Sequence, residues 1–275
     1  MKIKREYTFS NNRQIWRLLP TDSGKIIIEE RNVETKEVFF NCLDLNTGKK
    51  IFSSLQLEEK FWIGIETIYK DIVYFHKYMK PDMPHHKGII AYDAITKEIL
   101  WENNDAVFLF ILDNKLFCYR ELFEGRDFYI LDYRNGKLID EFKENASEIN
   151  LLREESIQKN NFEGYYFTEY FNPDSETDQS VKVIISNLYD HHKITGKVDF
   201  IKLNGLLLLS FHELVETKKY NNIFLAVEIA NKKIIFEEKL NSHVNGIVPD
   251  SFFVKDNLIF LLKDKEKLLV CYLKS

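Results

Sequence analysis

Four histidines, His76, His86, His212 and His243, are the side chains of this 275-residue chain best suited to hold a metal ion, with His85 beside them in sequence. Neutral imidazole binds zinc, copper, nickel and iron, and ligands far apart in sequence can converge when a repeating fold brings equivalent segments together. His76, His85, His86 and His212 fall at the ends of second strands, or in the segments leading to third strands, of the repeat described below. His243 falls in a connection between units. Those two kinds of connection emerge on one face, where acids such as Glu213 could join the histidines at the mouth of a central channel. Two observations weigh against a metal. No spacing matches HExxH or another ligand set, and His85-His86 follows Pro81-Asp82-Met83-Pro84, which reads as an exposed loop. His191-His192 fall in the least clear part of the repeat, and their face is left open.

Other chemistry is sparse. Asp174, Glu176 and Asp178 alternate like calcium ligands, but their segment lacks the glycine and the terminal glutamate of an EF-hand, so a solvated loop is expected. There is no GxSxG, P-loop or GxGxxG. No catalytic residue and no cofactor-binding residue is therefore assigned. Cys42, Cys118 and Cys271 are odd in number and scattered, which predicts buried free thiols rather than disulfides or a zinc site. Aromatic runs such as Phe61-Trp62, Tyr165-Tyr166-Phe167 and Phe252-Phe253 alternate as strand residues do, and read as packing.

The elements that must carry these residues repeat. Polar turns at Ser23-Gly24, Lys70-Asp71, Asp113-Asn114, Asn160-Asn161, Asn204-Gly205 and Asp256-Asn257 lie 43 to 52 residues apart, each between two apolar, β-rich runs. The reading is all-β: a six-bladed β-propeller of four-stranded blades in a single domain over residues 1–275. A second turn recurs between third and fourth strands, as in Asp44-Leu45-Asn46-Thr47-Gly48 and Asp132-Tyr133-Arg134-Asn135-Gly136. There the aspartate oxygens should bond backbone N–H groups while glycine takes a positive φ. Copies at Asp93–Lys97 and Glu228–Lys232 lack the glycine and should be less tight. Lys4–Phe9 should close the ring as the outer strand of the blade that contains Leu258–Leu262 and Leu268–Leu273. In the fourth unit Val181–Tyr189 reads as a strand. Val198–Leu203 fits either an outer strand or the inner strand of the next unit, and the inner is favoured because Asn204-Gly205 then occupies the usual turn. Trp16, Trp62 and Trp101 are expected to be buried. The longest inserted loops are Lys77–Lys87, Glu169–Ser180 and Glu213–Asn222.

Tyr92-Asp93-Ala94-Ile95-Thr96-Lys97-Glu98-Ile99-Leu100-Trp101, and less closely Leu43–Phe52, resemble the Y-D-A-x-T-G-K-x-L-W repeat of quinoprotein-like propellers that use PQQ. The resemblance implies the fold. The family includes quinone-dependent dehydrogenases, usually eight-bladed and exported, and non-enzymatic assembly scaffolds. This chain departs from the dehydrogenases in having about six units and no adjacent cysteine pair to stack on a quinone, so PQQ is not expected, nor any other cofactor. As a whole, with Gln14-Ile15-Trp16-Arg17-Leu18-Leu19-Pro20 near its start, it resembles a bacterial propeller family that is a domain of unknown function.

Composition narrows the classes further. Hydrophobic residues make up 45% of the chain, including 22 Phe and 14 Tyr, enough to fill interfaces between sheets and to exclude disorder. The formal charge of −5 is spread along the chain with no basic stripe, so neither nucleic acid nor an anionic membrane surface is the expected partner. No apolar stretch follows Met1–Glu6, and the expected location is cytoplasmic. The leading expectation is a non-enzymatic propeller scaffold that binds a protein partner through its loop-rich face. The alternative is a small-ligand or metal-binding propeller, including a hydrolase, with its site at the channel mouth. Six-bladed relatives in form include lactonase-type hydrolases that hold calcium there.

Overall fold

The computed structural model describes residues 2–80, 83–143, 145–159 and 162–274. Among them the chain is all-β, built of antiparallel sheets of four or five strands as in a β-propeller, with two helices. The chain divides into two compact units, Arg13–Phe162 and Met1–Asn12 with Glu163–Ser275.

Strand β1 (Lys2–Phe9) belongs to the second of these. Arg13–Phe162 holds three four-stranded sheets in which each strand pairs with the next. The first contains β2 (Gln14–Pro20), β3 (Lys25–Arg31), β4 (Val38–Asp44) and β5 (Lys50–Leu55). The second contains β6 (Ile63–Tyr69), β7 (Ile72–Lys80), β8 (Met83–Asp93) and β9 (Glu98–Asn103). The third contains β10 (Val107–Leu112), β11 (Lys115–Glu121), β12 (Arg126–Asp132) and β13 (Leu138–Lys143), and helix α1 (Ala146–Lys159) follows. The hairpin turns Lys70-Asp71 and Asp113-Asn114 have positive φ at both residues, the geometry that matches strand twist.

Middle strands are buried on both faces, which is why they read as continuous apolar runs. Ile27, Phe40 and Cys42 of the first sheet meet Val73, Phe75 and Tyr92 of the second, with the Phe40 and Phe75 rings 4.5 Å apart. Tyr74 and Ala91, on the other face of the second sheet, meet Leu116, Cys118 and Tyr129 of the third. Burying a side chain of this size contributes about 1.5–3 kcal/mol. The far face of the third sheet is covered by α1, whose Ile149 and Leu152 lie against Phe110, Phe117 and Phe128.

The other unit follows the same plan. After β14 (Tyr165–Tyr166), β15 (Glu169–Tyr170) and helix α2 (Gln179–His191) come β16 (Ile194–Leu203), β17 (Leu206–Glu216), β18 (Lys219–Glu228) and β19 (Lys233–Val244). Then follow β20 (Phe252–Lys255), β21 (Leu258–Lys263) and β22 (Lys267–Lys274). Strands β15 to β19 form one sheet in sequence order; the other has the order β1-β22-β21-β20-β14. Leu208, Phe224 and Leu240 pack against Phe252, Ile259 and Cys271 between them. Helix α2 covers the other face of β16–β18. The N-terminal strand pairs where it was expected: β1 runs antiparallel to β22, with Ile3 opposite Leu273 and Phe9 opposite Leu268.

Several expectations are corrected. Five sheets, not six, form among the described residues, and two of them have five strands. The fourth turn, Asn160-Asn161, lies outside the described residues, and the fourth unit is mainly the helices α1 and α2. Val181–Tyr189 is helical because Asp178 caps it, accepting from the N–H groups of Ser180 and Val181, and because Val181, Ile184, Ile185 and Leu188 bury one helical face. Val198–Leu203 is the inner strand of the following hairpin, as read. The described residues of Lys77–Lys87, all but 81 and 82, and those of Glu213–Asn222 do not form long loops. Their strands stay extended and paired, with Tyr78 opposite His86 and Leu214 opposite Tyr220. The acidic Asp174–Asp178 segment is a turn leading into the α2 cap, with Glu176 accepting from the Asp178 N–H at 2.7 Å.

The tryptophans divide. Trp16 is 56% exposed and Trp62 is 44% exposed, contrary to expectation. Trp16 is the extra residue of a β-bulge between Ile15 and Arg17, which turns it out of the interface and under the Arg31 guanidinium, 4.4 Å from the ring centre. Trp62 precedes β6 and meets Tyr78 edge-on. Trp101 does join neighbouring sheets: its indole N–H donates to the Tyr133 carbonyl at 3.2 Å, and its ring leaves no room for a Cβ at Gly136. The Asp93–Lys97 turn, which lacks glycine, is as tight as the turns that have it. Lys97 and Lys232 adopt φ of 63° and 58°, and the Lys97 N–H donates to Asp93 O at 2.8 Å, as Gly48 does to Asp44 O at 2.9 Å. All three cysteines are buried and free, and burial pushes each thiol up to about 12. No helix among the described residues is long and apolar enough to cross a membrane, which says nothing of a β-barrel.

Candidate metal centre

Two irregularities in the second sheet set the site. Strand β6 pairs regularly with β7 at Gly64 opposite His76 and Ile65 opposite Phe75, then carries Glu66 as an extra residue before Thr67 meets Tyr74. Strand β8 slips against β7 around Gly88, whose φ of 77° suits glycine, so that Phe75 faces Ile90 but Lys77 faces Lys87. Bulges of this kind re-aim side chains. Here they bring Glu66 and His86 onto His76.

The result is a compact cluster. One ligand atom from each of Glu66, His76 and His86 lies within 4.8 Å of the other two. Glu66 Oε1 is 3.2 Å from His76 Nδ1 and 2.5 Å from His86 Nδ1. The two imidazoles stack face to face, with centroids 3.5 Å apart and planes 7° apart, and the Tyr78 ring stands edge-on to both. His76 is only 3% exposed. Its Nδ1 is close to Glu66, but neither ring nitrogen makes a hydrogen bond among the described residues. Gly64 leaves the room this ring needs, because a Cβ there would lie 3.0 Å from His76 Cε1 and Nε2.

Electrostatics favour a ligand state. Burial lowers the His76 pKa against the opposing pull of Glu66, so the ring is neutral near pH 7, as a metal requires. Burial opposes ionisation of Glu66, but the two imidazoles outweigh it and hold its carboxyl below the usual range. Beyond the cluster, Glu29 lines a cavity of about 230 Å³ with His76, Gly64 and Tyr78 while its other side pairs with Arg31 at 2.9 Å. On the Glu66 and His86 side opens a larger pocket of about 550 Å³.

Of the four histidines expected, the structure brings together two. His212 is buried in the other unit, where its Nε2 accepts the Val248 N–H at 3.0 Å; that bond and burial, which lowers its pKa, keep it neutral and occupied. His243 is exposed, 3.8 Å from Glu216. Nor does Glu213 join a cluster: it meets His192 Nδ1 at 2.9 Å. His85 lines the larger pocket without belonging to the cluster. Sequence reasoning missed Glu66. The available signal was that continuing the β7–β8 hairpin past His76 places His86 beside it, leaving the inner strand β6 to supply the third group.

A family model, Domain of unknown function (DUF4905), matches residues 19–101, which include all three residues of the cluster. The match covers less than half of the chain and fits a domain of unknown function. No curated protein matches. Among solved structures the chain is similar to the AfRom2 CNH domain, at 8% identity and a TM-score of 0.34, over 100% of this chain and 99% of that one. It is similar at the same identity and TM-score to a eukaryotic initiation factor, over 93% of this chain and 51% of that one, so it spans about half of that chain's length. Similarity at this level says nothing of function.

Proposed function

We propose that this β-propeller-like protein binds a divalent transition metal ion through Glu66, His76 and His86. The observation that carries the reading is His76, buried beside a carboxylate and a second imidazole with neither nitrogen hydrogen-bonded. A buried polar group without a partner is costly, and an ion that takes its lone pair would remove the cost. Two imidazoles and one carboxylate suit zinc, iron, cobalt, nickel or copper rather than calcium or magnesium. Two donors on one tetrahedral zinc are about 3.3 Å apart, given Zn–N bonds of about 2.0–2.1 Å. Glu66 lies 3.2 Å from His76 Nδ1 and 2.5 Å from His86 Nδ1, so the groups are close enough to share an ion, which the stacked rings would have to rotate apart to admit. Calorimetric titration of tag-free protein with zinc and nickel tests this. Binding should be lost in His76→Ala and Glu66→Gln and kept in His243→Ala. Undiminished binding by the first two variants would sink the proposal.

A second reading is the scaffold for a protein partner, located in the cytoplasm. It is supported by exposed aromatic side chains on the unit Arg13–Phe162, namely Trp16, Phe61 and Trp62. If it holds, Trp16→Ser combined with Trp62→Ser should abolish capture of a partner that the wild type retains. Equal capture by both would count against it.

A further inference from the structure

We propose that the pocket beside the Glu66, His76 and His86 centre receives a small oxyanion with an apolar body, its charged end lying between the bound ion and Arg153. This rests on the metal reading above and names what that centre would bind. The pocket, about 550 Å³, lies in the size range of small-molecule sites. Its wall is divided by chemistry. Glu66 and His86 form one edge, with His85 beside them, and the half-buried β10 residues Val107, Phe108 and Leu109 form an apolar side. Helix α1 adds the exposed Arg153 to the lining.

Charge decides the ligand class. Glu66 is the only acid among the lining residues, and a divalent ion would more than neutralise it. Arg153 makes no ion pair or hydrogen bond with a described residue, so its guanidinium stays available. Three protein ligands also leave at least one coordination position open, as in zinc sites that bind water or substrate and unlike closed structural sites with four ligands. An ion with an open position and a free guanidinium on one pocket call for a carboxylate or a phosphate monoester, both of which arginine binds through two parallel hydrogen bonds. The apolar side calls for a hydrocarbon or aromatic body on that anion.

The test loads the full chain with cobalt(II), whose visible absorption reports a change of ligand, and titrates it separately with phenyl phosphate and benzoate. One probe should saturate with a spectral change, and the two arms tell phosphate from carboxylate. Arg153→Glu should weaken that probe by at least about tenfold, the scale of a charge-assisted pair. Cobalt loading is read in the same cell, so loss of the ion and loss of the anion are told apart. If cobalt loads but neither probe changes the spectrum, or if Arg153→Glu binds as tightly, the anion proposal is overturned while the metal centre stands. If cobalt does not load, both fall.

Discussion

His76 shows how one residue depends on the smallness of another. Its ring occupies the space a side chain at position 64 would fill, so Gly64→Ala should push the imidazole by a few tenths of an ångström. Metal affinity should fall about tenfold, the lower end of what displaced support of a ligand costs, while the fold is kept. Unchanged affinity in the alanine variant would show that Gly64 does not set the position of the ring. The histidines were legible from the sequence because their type is rare and chemically distinct. Glu66 was not, since one glutamate among many acids is marked only by a bulge, and a bulge leaves no residue signature in β6. Asp199 offers a second test at this scale. Burial, with Asp250 nearby, raises its pKa from 3.8 to about 6. The folded state therefore holds its proton more tightly than the unfolded one, and its contribution falls as pH rises from the ordinary carboxylate range through about 6. Asp199→Asn should melt higher than wild type at pH 7, with the difference shrinking at pH 4. A gain of equal size at both pH values would refute the linkage.

At the scale of elements, the turns were the most readable part of the chain. Asp44, Asp93 and Asp132 each accept backbone N–H groups two and three residues on, as the Asx pattern predicts. What the pattern did not convey is that the turn overrides the residue at its tightest point. Lys97 is held left-handed where Gly48 and Gly136 stand elsewhere. That conformation costs an L-residue about 1–2 kcal/mol, of which about 0.5–1 kcal/mol returns as glycine's added chain entropy. Lys97→Gly should thus be modestly stabilising in denaturant titration, and a destabilised variant would mean the lysine side chain carries an unseen contact. Helix α2 was misread for a different reason. Val181, Ile184 and Ile185 are strand-favouring residues, but their spacing, continued by Leu188, has the helical period, and Asp178 supplies the start. Period outranked propensity there. The extended β7–β8 hairpin was misread because prolines near its tip suggest a loop, although pairing continues to Lys80 opposite Met83.

For the whole molecule, the repeat spacing conveyed the all-β architecture and the pairing of the two chain ends, but not the replacement of strands by helices between β13 and β16. Removal of residues 1–10 takes β1 from β22 and exposes the backbone groups of an edge strand. The melting midpoint should drop well beyond the roughly 2–4 °C that 1 kcal/mol produces in a protein of this size. A truncated chain that melted like the full one would show that β1 is dispensable. The buried thiols have a further use. Cys42 lies in β4, Cys118 in β11 and Cys271 in β22, one in each of three sheets, and a thiol held near pKa 12 in a closed interior scarcely reacts with an alkylating reagent. Each cysteine is thus a built-in clock that starts only when its own sheet opens. If the chain unfolds as the single domain its repeat suggests, the three clocks should keep one time under mild denaturant. If Cys271 is modified at a rate of its own, the two compact units open independently, and the native protein reports that division without a single substitution.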